Sequence, residues 1–149
     1  MTRTTIDMTE EGPRPAARRR SRLVTCLALA AATPVPGASH VRVSTGSTLT
    51  VIKLPARGAA SRPPVIVVHG GPGVPELRDN ATAFAFLTGQ GFDVYLYAQI
   101  GTDGSTRLND PRGYTRERAV ADLEARRARL GPPKVILIGH SYGGEIAAR

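Results

Sequence analysis

Two glycine-rich pieces of this chain hold residues that could do chemistry. The first is Gly139-His140-Ser141-Tyr142-Gly143, which follows the apolar run Val135-Ile136-Leu137-Ile138 and precedes Glu145-Ile146-Ala147-Ala148, a stretch of helical character. Strand, sharp turn and helix in that order are the context a G-x-S-x-G nucleophile elbow requires. The serine stands at the turn, and the glycines around it let the backbone bend without a Cβ clash. Ser141 is therefore the candidate nucleophile, an alcohol placed to attack a carbonyl. The second piece, His69-Gly70-Gly71-Pro72-Gly73, comes directly after Val65-Ile66-Val67-Val68. By itself it also fits a tight turn or a phosphate loop. No Gly-Lys-Ser/Thr ending follows it, however, and a dinucleotide fingerprint fails because Glu76, beside Pro75, occupies its third glycine position.

The elements that must position these pieces can be read from periodicity. Val41 and Val43 alternate with Arg42, and Leu49-Thr50-Val51-Ile52-Lys53-Leu54 follows across a turn at Thr45-Gly46-Ser47, which predicts an opening hairpin. Val65 to Val68 is continuously apolar, as in a strand buried on both faces of a parallel sheet. A helix is expected over Asp79 to Gly89, ended by Gly89 or Gly91, then a strand over Phe92 to Tyr97 and a glycine-rich loop from Ala98 to Gly113. A second helix is expected over Tyr114 to Leu130, with Val120, Leu123 and Leu130 on its inner side. Arg116, Arg118, Arg126, Arg127 and Arg129 then read mostly as a solvated face, and Gly131-Pro132-Pro133 stops the helix. Alternating strands and helices predict an α/β class, with a mostly parallel sheet and an N-terminal antiparallel hairpin.

With both motifs in place, each after an apolar strand, the stretch from Val41 to Arg149 resembles the first half of an α/β-hydrolase. The HGGPG and GHSYGG pieces are similar to the proline iminopeptidase branch of that family. The resemblance implies a serine hydrolase acting on an ester or amide bond. It implies that the backbone N–H groups of Gly71 and Tyr142 hold the oxyanion, with His69, Gly70, Gly73, Gly139, His140 and Gly143 as supporting residues. It calls for no cofactor and no metal. The loop Ala98-Gln99-Ile100-Gly101-Thr102-Asp103-Gly104-Ser105 keeps part of the branch's DQRGxGxS signature and departs at Ala98 and Ile100, where the branch has Asp and Arg. Peptidase and esterase both stay open.

A triad in this fold runs Ser, then Asp or Glu, then His. Only eight residues follow Ser141, Glu145 is the single acid among them, and there is no histidine. The expectation is a fragment or truncated product, covering the nucleophile half and inactive alone without acid and base. The alternatives are a non-catalytic binding module or degenerate product on the same scaffold, and an exported interaction protein.

Composition bounds the remaining classes. The chain has 149 residues, 41% hydrophobic and 21% charged, which fits one globular domain. The net charge of +8 comes from 18 arginines and two lysines scattered over loops and a helix. With 5% aromatics and no interleaved basic and aromatic pattern, nucleic acid is not an expected partner. Cys26 is the single cysteine, so no intrachain disulfide or zinc cluster is expected. Residues 1–39 read as a disordered leader. Within it, 18–38 joins Arg18-Arg19-Arg20 and Arg22, the apolar run Leu23 to Ala32 and a small-residue region, the layout of a signal or a membrane-associated segment. Against that stand three acidic residues in the leader and a run too short to span a bilayer, so export, membrane association through 23–32 and a cytoplasmic location all stay open. The oligomeric state is open as well. The hydrolase-like domain is expected over 40–149, and small ester, amide or peptide molecules are the expected partners.

Overall fold

The computed structural model describes residues 37–149, so the leader and its signal-like segment lie almost wholly outside the described residues. Among the described residues no helix is long and apolar enough to cross a membrane.

The opening hairpin consists of β1 (Ser39–Arg42) and β2 (Thr48–Leu54), paired antiparallel with Val41 opposite Leu49. Its turn is closed by Gly46 N–H donating to the Val43 carbonyl and Val43 N–H to that of Ser47. Three further strands follow: β3 (Val65–Val68), β4 (Val94–Tyr97) and β5 (Ile136–Gly139). The sheet order is β1-β2-β4-β3-β5, with β2 antiparallel to β4 and β3 parallel to both β4 and β5. Both glycine-rich pieces therefore leave the sheet at the carboxyl ends of adjacent parallel strands. Val68 stands beside Gly139 there. Ligand sites of open α/β sheets form at such ends.

All four residues of β3 are buried, and strand alternation divides them between two cores. Ile66 and Val68 join Leu49, Val51, Tyr97, Leu123 and Ile146 under helices α2 (Arg116–Ala128) and α3 (Tyr142–Ala147). Val65 and Val67 join Ile52, Leu77, Val94 and Leu96 under helix α1 (Leu77–Phe84). Each such side chain contributes roughly 1.5–3 kcal/mol when fully buried. This double burial explains why β3 reads as an unbroken apolar run.

Two elements differ from expectation. The first helix begins at Leu77 and ends at Phe84, and the chain then tightens into a 3₁₀ turn over Ala85–Gln90. Thr88 Oγ1 donates to the Ala85 carbonyl, and Gly91, at φ 84°, ends the segment with its N–H on the carbonyls of Leu87 and Thr88. On α2 the buried positions are Ala119, Asp122, Leu123 and Arg126, so the arginine face is not wholly solvated. The Arg126 guanidinium lies 5.2 Å from the centre of the Tyr95 ring. Asp122 accepts from Thr45 Oγ1, from Ser47 Oγ at 3.2 Å and from Arg118 Nε at 3.3 Å, while Arg118 Nη2 donates to Ser47 Oγ at 2.6 Å. The hairpin turn is thereby pinned to α2 through polar groups.

Removing one partner from a buried charge network leaves the others unpaired, at a cost of about 3–5 kcal/mol. Asp122→Ala is expected to destabilise the fold by about 3 kcal/mol in urea denaturation. Glu124→Ala, which breaks a surface pair with Arg127, should leave the midpoint nearly unchanged.

Candidate active site

Ser141 joins β5 to α3 with φ 51° and ψ −123°, a left-handed φ that a residue with a Cβ rarely adopts. Holding it there costs of order 1–3 kcal/mol, which the surrounding backbone must offset. His140 N–H donates to the Val68 carbonyl at 3.1 Å, continuing the β3–β5 ladder to the residue before the turn. Gly143 N–H then donates to the His140 carbonyl and Gly144 N–H to that of Ser141, both at 2.8 Å. The helix begins tight against β3. A Cβ at Gly143 would overlap the Val68 carbonyl oxygen, and one at Gly139 would lie 2.6 Å from the Gly143 carbonyl oxygen. The two glycines thus answer to close backbone approach.

The second glycine-rich piece meets the first at Gly70. A Cβ there would sit 3.0 Å from His140 Nδ1 and 3.4 Å from Ser141 Cβ. Gly71, at φ 115°, is next along the loop, and Tyr142 is next after Ser141. Among the described residues neither Gly71 N–H nor Tyr142 N–H donates to a protein acceptor. Ser141 is exposed and its hydroxyl has no hydrogen-bond partner among the described residues.

His69 does not face the reactive side. It is buried, and Gln99 N–H donates to its Nε2 at 2.9 Å, which requires that nitrogen to be unprotonated. The proton is then on Nδ1, which donates to the Gly70 carbonyl at 2.7 Å. The Gln99 carboxamide returns a 2.7 Å bond to the His69 carbonyl. A neutral imidazole thus fastens the loop after β3 to the loop after β4, and its burial pushes its pKa below the usual imidazole value.

Glu76 was visible in the sequence only as a misfit to a glycine fingerprint. Its Oε2 accepts from Gly70 N–H at 3.2 Å and lies 3.8 Å from His140 Nδ1, so one carboxylate touches both glycine-rich pieces. No local pattern signals this, because Gly70 lies six residues before Glu76 whereas His140 arrives from the far side of the chain. Asp103, at φ 42°, accepts from Leu77 N–H at 3.2 Å and caps α1 from the loop after β4. Beside these loops a cavity of about 360 Å³ is lined by Pro72, Gly73, Ile100, Arg107, Tyr114 and Tyr142, among others. Among the described residues no three His, Cys, Asp or Glu side chains gather as metal ligands.

The elbow is strained at Ser141 and sterically closed at Gly143. Ser141→Gly is expected to stabilise the chain by about 1 kcal/mol, because glycine adopts the same φ without strain. Gly143→Ala is expected to cost about 3 kcal/mol or more, because backbone must move to admit the methyl group. Urea denaturation checks both. For His69 the lowered folded pKa gives a sign: between the usual value of 6.5 and the folded value, the unfolded chain binds the proton and the folded chain does not. Its contribution is therefore full above 6.5, falls as the pH drops below 6.5 and levels off under the folded pKa. Denaturation at pH 8 and pH 5 should show that loss, and His69→Gln should flatten it.

The arrangement has known relatives. The family model for the alpha/beta hydrolase fold matches residues 63–149, more than half of the chain. The proline iminopeptidase of Saccharolobus solfataricus is 36% identical over 84 residues, covering 56% of this chain and 26% of the relative. That of Lactobacillus helveticus is 34% identical over 93 residues, covering 59% of this chain and 30% of the relative. The chain thus spans less than a third of the length of these two relatives. Among solved structures, proline iminopeptidase from Mycobacterium smegmatis superposes with a TM-score of 0.64 at 30% identity, covering 74% of this chain and 38% of that one. Epoxide hydrolase A from Mycobacterium thermoresistibile gives 0.61 at 26% identity, with 76% and 34% covered. Matched from Pro63 through the elbow to Arg149, and folded as these neighbours are, the chain belongs to the alpha/beta hydrolase fold family.

Proposed function

We propose that this chain carries the nucleophile half of a serine hydrolase acting on an ester or amide bond, with Ser141 as nucleophile and the N–H groups of Gly71 and Tyr142 as oxyanion donors. The observation that carries the reading is the strained backbone of Ser141, which presents an exposed hydroxyl at the carboxyl end of the sheet opposite Gly70. Attack by Ser141 Oγ on a carbonyl would place negative charge on its oxygen, and two preorganised backbone donors stabilise that charge without reorganising. Donors of this kind are typically worth about 10²–10³ in rate each. The names of the iminopeptidase relatives favour a peptide-like amide over an ester.

The Ser141 proton needs an acceptor. No histidine follows Ser141 in the 149 residues, and His140 stands beside Glu76. The reading therefore requires a base and an orienting acid from outside these residues, since a serine hydroxyl without a base is a weak nucleophile. The two backbone donors without a protein acceptor also support a second reading, a binding module that keeps the oxyanion site to hold a small acyl ligand without turnover.

A serine-directed fluorophosphonate separates the two. Applied to the natural polypeptide, it is expected to label one site and to lose that label in Ser141→Ala. Equal labelling after Ser141→Ala overturns the nucleophile assignment. Acyl-ligand binding that is unchanged in Ser141→Ala, with no labelling of the parent protein, supports the binding module instead.

A further inference from the structure

The cavity beside the elbow has a charge character that the two motifs do not account for. Its walls come from the loop after β3 (Pro72 and Gly73), the loop after β4 (Ile100), α2 (Ala119) and the Tyr142 side chain, and Arg107 also lines it. At about 360 Å³ it lies near the lower end of small-molecule sites, which span roughly 300–1,000 Å³. Among the described residues no acidic side chain lines it. The carboxylates on its loops are engaged elsewhere: Glu76 with Gly70 N–H, Asp103 with Leu77 N–H and Asp110 with Arg112. Arg112, Arg118 and Arg127 each pair with a carboxylate, whereas Arg107 has no such partner among the described residues. The Tyr114 hydroxyl accepts from Leu108 N–H at 2.7 Å, which leaves its own proton free to donate. Apolar walls, an unpaired guanidinium and a phenol donor make a site for an apolar group that ends in an anion.

We propose that this cavity seats the part of the substrate carrying a carboxylate, with its apolar body against Ile100, Ala119 and Tyr142 and its charge on Arg107. The proposal rests on the hydrolase reading of Ser141 for the word substrate, and on the cavity alone for the ligand class. It selects among the compounds a serine hydrolase could take. A free amine placed here would face Arg107 with no acid in the wall to offset the repulsion, so a substrate's amino group belongs elsewhere.

The test uses the 149-residue chain, labelled with ¹⁵N, and two probes of matched shape, 3-phenylpropionate and 3-phenylpropylamine. The carboxylate is expected to move the amide signals of Gly73, Gly101 and Tyr142 and to bind at least about fivefold more tightly than the amine. Raising the salt concentration should narrow the difference, Arg107→Gln should remove it, and Arg107→Lys should keep it. Equal or tighter binding of the amine overturns the proposal. So does an unchanged preference in Arg107→Gln, or the absence of shifts at those three amides. The hydrolase reading fails by a different result, fluorophosphonate labelling that survives Ser141→Ala, so the two failures cannot be confused.

Discussion

The site depends on how closely the start of α3 approaches the end of β3. At Gly143 the helix backbone sits against the Val68 and His69 carbonyls with no room for a Cβ, and at Gly139 the strand meets the same helix. That contact sets the angle at which the chain turns, and the angle forces Ser141 into a left-handed φ. A looser helix would let Ser141 relax, and its hydroxyl would lose its fixed direction. The strain is therefore held by packing on both sides of the turn, which is how such conformations persist. The direction of the Ser141 side chain, the place of Tyr142 N–H and the approach of Gly70 all follow from this one steric fit.

Around the fit, the loops are joined by polar groups whose roles interlock. His69 can accept from Gln99 N–H only while it is neutral, and burial keeps it neutral. Glu76 ties Gly70 to the His140 side, and since it does not cap its own helix, Asp103 supplies an acceptor to Leu77 N–H. On the opposite edge, Asp122 and Arg118 gather the hairpin hydroxyls onto α2. Each of these links joins segments far apart in the chain, so together they fix the sheet's carboxyl end more firmly than the short strands would alone. A site held this way can present bare backbone donors to a ligand without closing over them.

Much of this was legible in the sequence, for physical reasons that differ by element. β3 was readable because both of its faces are covered, and the elbow because strand, turn and helix chemistry coincide within sixteen residues. The hairpin announced itself by alternation and a turn. The inward face of α2 was readable in its apolar part, since Leu123 is buried and Val120 and Leu130 pack against the same core, but Asp122 and Arg126 were not: spacing rules place such charges outside, and here the compensation comes from Tyr95 and from hairpin hydroxyls some 75 residues earlier. The 3₁₀ tightening after Phe84 was equally hidden, since helix and 3₁₀ turn share nearly the same composition. Gln99 carried a signal through the partial loop signature, whereas Glu76 and Arg107 carried none, because their meaning lies in which loops face one another.

The loop after β4 shows one more thing when its bonds are followed to β2. Ala98 N–H donates to the Thr50 carbonyl, Thr50 N–H to Ser105 Oγ, Thr106 N–H to the Thr48 carbonyl and Thr48 N–H to Thr106 Oγ1. Two hydroxyl side chains thus take the places of missing main-chain acceptors, and the loop completes the ladder of β2 as a surrogate strand. Such a seam is counted in residues: Ser105 and Thr106 must arrive together at the right rung. An inserted or deleted residue between Ala98 and Ser105 would put both hydroxyls off their rungs, whereas a change in an outward side chain would leave the seam, and with it the position of the cavity rim, where it is.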